Sequence, residues 1–498
     1  MKSLGYLRLV EEFDLAVCEL IAQCHLTERS VMSVTMEDGI EHRAYPQRRL
    51  TIEDTWQGHL HFAVKNEGVN LEVLKALFEK INASAIEELV LRHPTGAVHR
   101  RIWLLYEYLT DTRLALPDLA QGGYVSLVDE DKQFACPKSL ATRVRRMRVI
   151  NNLLGDRSFS PFVRKTPRIC KYPAAKLKAL SDALLAKYPT SLQERATQYL
   201  YVKETKSSFA LERETPSQRR TNAFVEVLRA MGTDPISKDT LLDVQNRVVD
   251  SRYAQHDWRT SQVYVGETIT PGHEKIHFIA VQPKDVDDIM TGFLQTLNRL
   301  LTSNVDAVAL AAVLSFAFVF IHPFDDGNGR LHRYLMHAIL ARLKFTPAGG
   351  IIFPISAVLL KKTATYDRML ETFSRRVMPR LEYDVSADGE VTVRGESIDF
   401  YRYIDFTPIV EDFQRLIVET IRTEWRYELD YLAGYDRMRR EMREVVDLPE
   451  KKANQFILFV KNNGGRLSAA KRPFFAELTD DEIAQLERIV RGNCKTSR

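Results

Sequence analysis

The sequence predicts a mainly α protein: a helical bundle with a small β-hairpin set into it, a helical N-terminal region and a C-terminal winged-helix-like module. Three observations lead there. Ala307 to Ile321 is an apolar run interrupted only by Ser315, which suits a core helix and falls short of the roughly 20 residues that cross a bilayer. Just before it, Ile289, Met290, Phe293, Leu294, Leu297 and Leu301 recur at helical spacing. Gln262 to Gly266 and Ile276 to Val281 are β-rich runs on either side of Pro271-Gly272, the pattern of an exposed hairpin.

Taken in order, residues 1–118 read as the helical N-terminal region, with turn signals near Gly58, Gly68 and Pro94-Thr95-Gly96. Residues 119–185 read as a basic small α/β region: Cys136 to Lys178 holds twelve Lys or Arg against one acid, Asp156. Clustered cations suit a phosphate-bearing partner, since binding releases counterions from nucleic acid. The plainer reading is a solvated helix face, on which Arg143, Arg145, Arg146 and Arg148 flank the core positions Val144, Met147 and Leu153. Residues 186–380 run helix, hairpin, helix, buried helix, helix. Residues 381–450 hold a second hairpin around Asp388-Gly389, then a long helix with Thr407 as N-cap and Pro408 at its first position. That helix would bury Val410, Phe413, Ile417 and Ile421. Residues 451–498 give a helix, a turn at Asn463-Gly464-Gly465 and a final helix opened by the capping box of Thr479 and Glu482. Arg466, Lys471 and Arg472 are the DNA-contact candidates of this tail, against which stands a packing or dimerisation appendage.

Composition narrows the class without naming a partner. Of 498 residues, 45% are hydrophobic and 27% charged, which excludes collagen, low-complexity disorder and small disulfide scaffolds. Seventy Lys and Arg against 66 Asp and Glu leave a net charge of +4, too little to argue for wholesale nucleic-acid or membrane binding. Five cysteines without a CxxC pair suit a reducing compartment and no zinc site. The first residues carry acids where a secretion signal needs an apolar stretch. A cytoplasmic location without membrane partners is therefore expected.

Chemistry concentrates in His322-Pro323-Phe324-Asp325-Asp326-Gly327-Asn328-Gly329-Arg330-Leu331-His332-Arg333. These residues join the buried run to an amphipathic segment, so a loop presents polar groups at the start of a second helix. Gly327 and Gly329 permit positive φ and close approach of a ligand, and successive amides around Asn328 can cradle an anion. Arg330 and Arg333, three apart on the opening turn, can reach further phosphate oxygens. Asp326 is a hard oxygen ligand suited to Mg²⁺ alongside phosphate, with Asp325 the second choice. His322 can take a proton from an attacking hydroxyl, and Phe324 would anchor the loop inward.

The twelve residues match HxFx(D/E)GNGRxxR at every defined position, and here the chain resembles the Fic family. The resemblance covers residues 190–380 most clearly. It implies the helical Fic fold and transfer of a nucleotide monophosphate, usually AMP from the co-substrate ATP, to a protein Ser, Thr or Tyr hydroxyl. It assigns His322 as base, Asp326 as Mg²⁺ ligand, Gly327, Asn328 and Gly329 as the α/β-phosphate nest, and Arg330 and Arg333 as outer-phosphate ligands. The hairpin that includes Ile276, His277, Phe278 and Ile279 resembles the family flap, an edge that holds a target by main-chain pairing.

Upstream, Ser208 and Glu212 stand four apart on a helix that must end near Thr215-Pro216. The segment near 195–214 resembles the family's inhibitory motif (S/T)xxxE(G/N), placed N-terminal to the core as in its second class. The resemblance implies that Glu212 pairs with Arg333 and takes the guanidinium that the γ-phosphate needs. Arg213 departs from the motif, which has Gly or Asn there. The protein target is unspecified, self-modification is expected, and a homodimer stays open. Removal of AMP, another nucleotidyl, phosphocholine or phosphate transfer, and a DNA-binding regulator carrying a Fic core are the alternatives.

Overall fold

In the computed structural model, residues 2–231, 235–270, 273–347, 349–386 and 388–494 are described. The expected hairpin turn at Pro271-Gly272 lies outside them. In chain order the strands and helices begin with β1 (Lys2–Leu4), α1 (Tyr6–Phe13), β2 (Ala22–Thr27), β3 (Ser33–Glu37) and β4 (Ile40–Pro46). There follow α2 (Trp56–Phe62), α3 (Leu71–Lys80), α4 (Ala83–Arg92), α5 (Ala97–Thr110), β5 (Val125–Ser126), β6 (Thr142–Val144) and β7 (Val149–Asn151). Next come α6 (Pro167–Lys171), α7 (Ala174–Leu185), α8 (Thr190–Leu211), α9 (Gln218–Arg229), α10 (Lys238–Val248), β8 (Tyr264–Thr270) and β9 (His273–Ile279). The core is α11 (Val286–Leu301), α12 (Ala307–Ile321) and α13 (Asn328–Arg342), then α14 (Ile355–Lys361) and α15 (Thr363–Val377). The chain continues through β10 (Glu382–Val385), β11 (Val391–Arg394), α16 (Ile398–Arg402), α17 (Thr407–Thr420), α18 (Arg426–Val445), α19 (Glu450–Asn462) and α20 (Asp480–Cys494).

The chain divides into two compact units. One comprises 1–174, 208–345 and 362–415; the other comprises 175–207, 346–361 and 416–498. The five consecutive segments expected from sequence are therefore not five bodies, because each unit is assembled from stretches distant in the chain.

In the first unit, α12 is the central strut. All of its residues are buried, Asp306 caps it by accepting from Val308 N and Ala309 N, and it packs on α11 and α13. Buried aromatics such as Phe316, Phe318 and Phe320 each contribute about 2–3 kcal/mol by leaving water. α9 and α10 pack on α13, while α15 packs on β9.

The N-terminal region departs from expectation. It contains a four-stranded sheet in the order β1-β2-β4-β3, with β2 and β4 parallel and the other pairs antiparallel. The strands bury few side chains, Leu4, Cys24 and Ala44 among them, so they leave little of the apolar signature that a periodicity search detects. Helix α1, between β1 and β2, and the helices α2 to α5 that follow the sheet share a core around Leu74, Leu77, Ile102 and Trp103.

The basic stretch is also corrected. Arg143 to Arg148 do not line a helix face; they run from β6 through the turn that leads into β7. Several cations there are engaged internally. Arg146 reaches Glu107, Asp118 and Leu114 O, Arg148 donates to the carbonyls of Leu119, Ala120 and Gly122, and the buried Arg164 pairs with Glu41 and Asp405. A free phosphate-facing surface is correspondingly reduced.

In the second unit, Trp425 stacks on Phe353 and donates to Ile352 O at 2.8 Å. The expected long helix runs through α17, a π-helical segment Ile421–Trp425 and α18. α18, α19 and α20 close around Phe456, Phe475 and Leu486, and the Thr479–Glu482 capping box is formed. Among the described residues no strand follows β11, so the wing of a winged helix is absent. Arg472 binds Phe475 O, Leu478 O and Asp480, and Lys471 lies over Phe459 and Phe474. Local packing, rather than an outward reading face, accounts for both. No described helix is long and apolar enough to cross a membrane.

Candidate functional site

The motif loop sits between α12 and α13. His322 ends α12 in the left-handed region, φ 56°, and its Nδ1 lies 3.0 Å from Val319 O. Because a carbonyl only accepts, Nδ1 carries the proton and Nε2 is left as the acceptor. Burial pushes the His322 pKa down to about 4, with the Arg259 charge adding to it and the Val319 contact, Glu212 and Asp326 opposing. The imidazole is neutral at pH 7.

Two side chains shape the loop that follows. Asn328 accepts from Phe324 N at 3.1 Å and donates to Phe324 O at 2.7 Å, which staples the loop while Phe324 packs on Trp258 and Phe318. The Asn328 side chain thus holds the turn, and only its backbone N–H is available for an anion. Asp325, the second-choice ligand, accepts from Gln255 at one oxygen and from Ser261 at the other. Gly327 caps α13 at φ 95° without a side-chain cap, so among the described residues the opening amides of α13 have no side-chain cap of the kind that usually satisfies them.

Asp326 Oδ1 accepts from Gly327 N and from Arg330, each at 2.6 Å. Its Oδ2 has no hydrogen bond from the described residues, and the side chain is 41% exposed. Arg330 and Arg333 are both buried. Arg333 donates through Nε to Ser208 Oγ at 2.9 Å, through Nη2 to Ser208 O at 3.1 Å and to Glu212 Oε1 at 2.5 Å, and through Nη1 to Tyr366 at 3.4 Å. Glu212, the partner that the resemblance implies, and Ser208, for which no partner was expected, thus both bind Arg333.

Glu212 also overhangs the glycine loop. A Cβ built on Gly329 would lie 2.0 Å from Glu212 Oε1, so the carboxylate stands against the opening of α13. Burial would raise its pKa, but Arg333, with Arg330 and His322 behind it, outweighs this and holds it below the ordinary value. The anion is therefore the form present at neutral pH.

The helix carrying these residues ends in a Schellman motif: Glu214 N donates to Phe209 O and Arg213 N to Ala210 O, both 3.0 Å. Arg213 takes the left-handed position, φ 57°, the place where the resembling motif has Gly or Asn.

β8 and β9 form the hairpin, with Tyr264 opposite Ile279 and Val265 opposite Phe278. Phe278 and Ile279 are buried, Phe278 against Phe320, Phe373 and Tyr401, while His277 is exposed and Ile276 half-buried. The four residues thus divide into an anchored base and an accessible tip.

Several residues that sequence reasoning missed complete the surroundings. Gln245 donates to Asp326 O at 3.2 Å, Arg259 Nε to His322 O at 2.6 Å, and Tyr366 touches both Arg333 and His332. No local pattern marks Gln245, Arg259 or Tyr366. Glu214, which meets Arg330, had the weak signal of a second acid beside a helix stop.

Residues 235–340 match the family model described as Fic/DOC family, a span that contains the complete loop motif. The chain carries a Fic domain. Protein adenylyltransferase fic-1 of Caenorhabditis elegans is 33% identical over 124 residues, 24% of this chain and 22% of that protein. Protein adenylyltransferase Fic of Drosophila willistoni is 37% identical over 91 residues, 18% and 16% of the two chains. The chain thus spans about a fifth of the length of these relatives. Among solved structures, a Fic family protein from Desulfovibrio desulfuricans aligns with TM-score 0.37 and 18% identity, covering 66% of this chain and 87% of that one. Fic-1 from C. elegans aligns with TM-score 0.33 and 20% identity, covering 51% and 72%. The Fic domain accounts for α10 to α13 and the hairpin, and leaves the N-terminal sheet and the second unit outside the matched span.

Proposed function

We propose that this protein transfers AMP from Mg-ATP to hydroxyls of protein targets, itself included, and that Glu212 restrains the reaction. The arrangement of a neutral His322 beside an uncapped glycine loop carries the reading, and the relatives' name, protein adenylyltransferase, supports it. ATP is the co-substrate, and the residues present fit a divalent ion with it: Asp326 keeps Oδ2 without a protein hydrogen bond beside amides suited to phosphate. Asp326 would hold Mg²⁺, which would neutralise phosphate charge when bound.

The chain's own groups do the rest. The amides of Asn328 and Gly329 orient the α- and β-phosphates, and the uncovered Arg333 holds the outer phosphate. His322 Nε2 takes the proton as the target hydroxyl oxygen bonds to the α-phosphorus and the bond to the leaving pyrophosphate breaks. Orientation and electrostatic stabilisation supply the catalysis. The exposed edge of the β8–β9 hairpin would align an extended target segment through main-chain bonds, which needs little sequence reading.

With Glu212 on Arg333, the outer phosphate loses its guanidinium and ATP is held wrongly for in-line attack. The test uses ATP and the other nucleotides, each labelled at the α-phosphate, with wild type, Glu212→Gly and His322→Ala, with and without cell lysate. Label on Glu212→Gly well above wild type, and none on His322→Ala, is expected. Equal labelling of wild type and Glu212→Gly removes the brake; no label on Glu212→Gly with any nucleotide removes the transfer.

A further inference from the structure

Arg330 is held differently from a residue waiting for phosphate. It is 1% exposed, and its fork is divided. Nη2 donates to Asp326 Oδ1 at 2.6 Å; Nη1 donates to Val248 O at 3.1 Å and lies 3.0 Å from Glu214 Oε1 and 3.2 Å from Oε2. Its Nε is buried and has no acceptor among the described residues. Arg220 reaches the same two partners, at 2.8 Å to Glu214 Oε2 and 2.8 Å to Val248 O, and both guanidiniums lie over Phe209 at 5.0 and 5.6 Å. The result is a line of alternating charge, Arg220, Glu214, Arg330 and Asp326, that ends on the Gly327 amide.

From this the geometry points to Glu214 as a positioning residue for Asp326: it holds one arm of Arg330 so that the other fixes Asp326 by a single oxygen. Both amino groups of Arg330 are then engaged, and Oδ2 of Asp326 keeps its capacity for a cation. The inference rests on the reading of Asp326 as the Mg²⁺ ligand. With Glu214 neutral, two arginines bear on Asp326 without a counter-charge. The carboxylate is drawn onto Arg330 more tightly, and one extra positive charge stands near the incoming cation, enough in a part-buried site for a loss on the order of ten-fold in cation affinity.

Binding to the full chain is the readout, so that no transfer is needed: Mn²⁺ titrated by electron paramagnetic resonance in the presence of a non-hydrolysable ATP analogue, and the analogue titrated by calorimetry in EDTA. Glu214→Gln is expected to weaken Mn²⁺ about ten-fold and to leave metal-free analogue binding unchanged, while Glu214→Asp stays near wild type. Arg330→Lys, which keeps the charge and loses the fork, gives the same weakening and serves if Glu214→Gln does not fold. Unchanged Mn²⁺ binding in Glu214→Gln and Arg330→Lys overturns the inference. Tighter metal-free analogue binding in Glu214→Gln also overturns it, since Glu214 would then be covering a phosphate ligand. Asp326→Asn separates the two levels: loss of Mn²⁺ there with none in Glu214→Gln refutes the positioning alone, and loss in neither refutes the metal reading beneath it.

Discussion

Arg213→Gly should tighten the brake. The residue sits at φ 57° in a Schellman motif, and an L-residue in the left-handed region costs roughly 1–2 kcal/mol. Glycine removes that strain but adds freedom to the released helix end, which takes back about 0.5–1 kcal/mol. The net gain for the latched state is then about 0.5–1 kcal/mol, or a two- to five-fold shift in the latch equilibrium. The assay is the initial rate of self-labelling from α-labelled ATP and Mg²⁺. Wild type should label about two to five times faster than Arg213→Gly, and Glu212→Gly should label alike with or without the second change, because no brake is left to tighten. A rate for Arg213→Gly equal to or above wild type would refute the reasoning: the turn at 213 would then carry no part of the latch.

Four more outcomes follow from the site. His322 is pushed to about 4, so the neutral base persists well below the ordinary value near 6.5; single-turnover labelling by Glu212→Gly should be flat from pH 8 to 6, and a half-loss near pH 6.5 would show an unperturbed imidazole. The same depressed value makes the native state lose stability as pH falls through 6.5 towards 4, since the unfolded chain takes the proton first, and His322→Ala should lessen that loss in melting curves. Ser208→Ala leaves the buried Arg333 Nε without its hydroxyl acceptor at 2.9 Å, a cost of about 1–3 kcal/mol, so melting should come earlier and labelling should rise, but less than in Glu212→Gly. Gly327→Ala combines φ 95° with a Cβ 2.9 Å from Val249 Cγ1; about 1–2 kcal/mol of stability and much of the ATP affinity should go, read by melting and calorimetry.

The His322 to Arg333 loop was legible because its chemistry is local. Contiguous residues specify a helix end, two glycines and a new helix start, and an apolar stretch as pure as Ala307 to Ile321 has no stable place except a core. The Thr479 and Glu482 box was legible for the same reason, each being within one turn of its partner. The β2 to β4 sheet was not, since β2 buries one residue and β3 none, which leaves no apolar alternation to detect, and the Arg143 to Arg148 turn looked like a helix face because its apolar positions happen to fall near helical spacing.

Partnership across the chain was decided only by folding. Sequence alone pointed to a loop suited to phosphate with a candidate base and carboxylate, and motif likeness nominated Glu212. That Ser208, Glu212 and Tyr366 all meet Arg333, that Glu214 rather than solvent meets Arg330, and that Asp325 is tied away by Gln255 and Ser261 required the chain from Ser208 to Glu214 to pack with α10, α13 and α15 in the first unit. The reason is electrostatic. An arginine reads the same in any sequence, but once packing removes it from water its charge must be met by whichever carboxylate the fold brings within hydrogen-bond reach, and that choice is made by residues more than a hundred positions away.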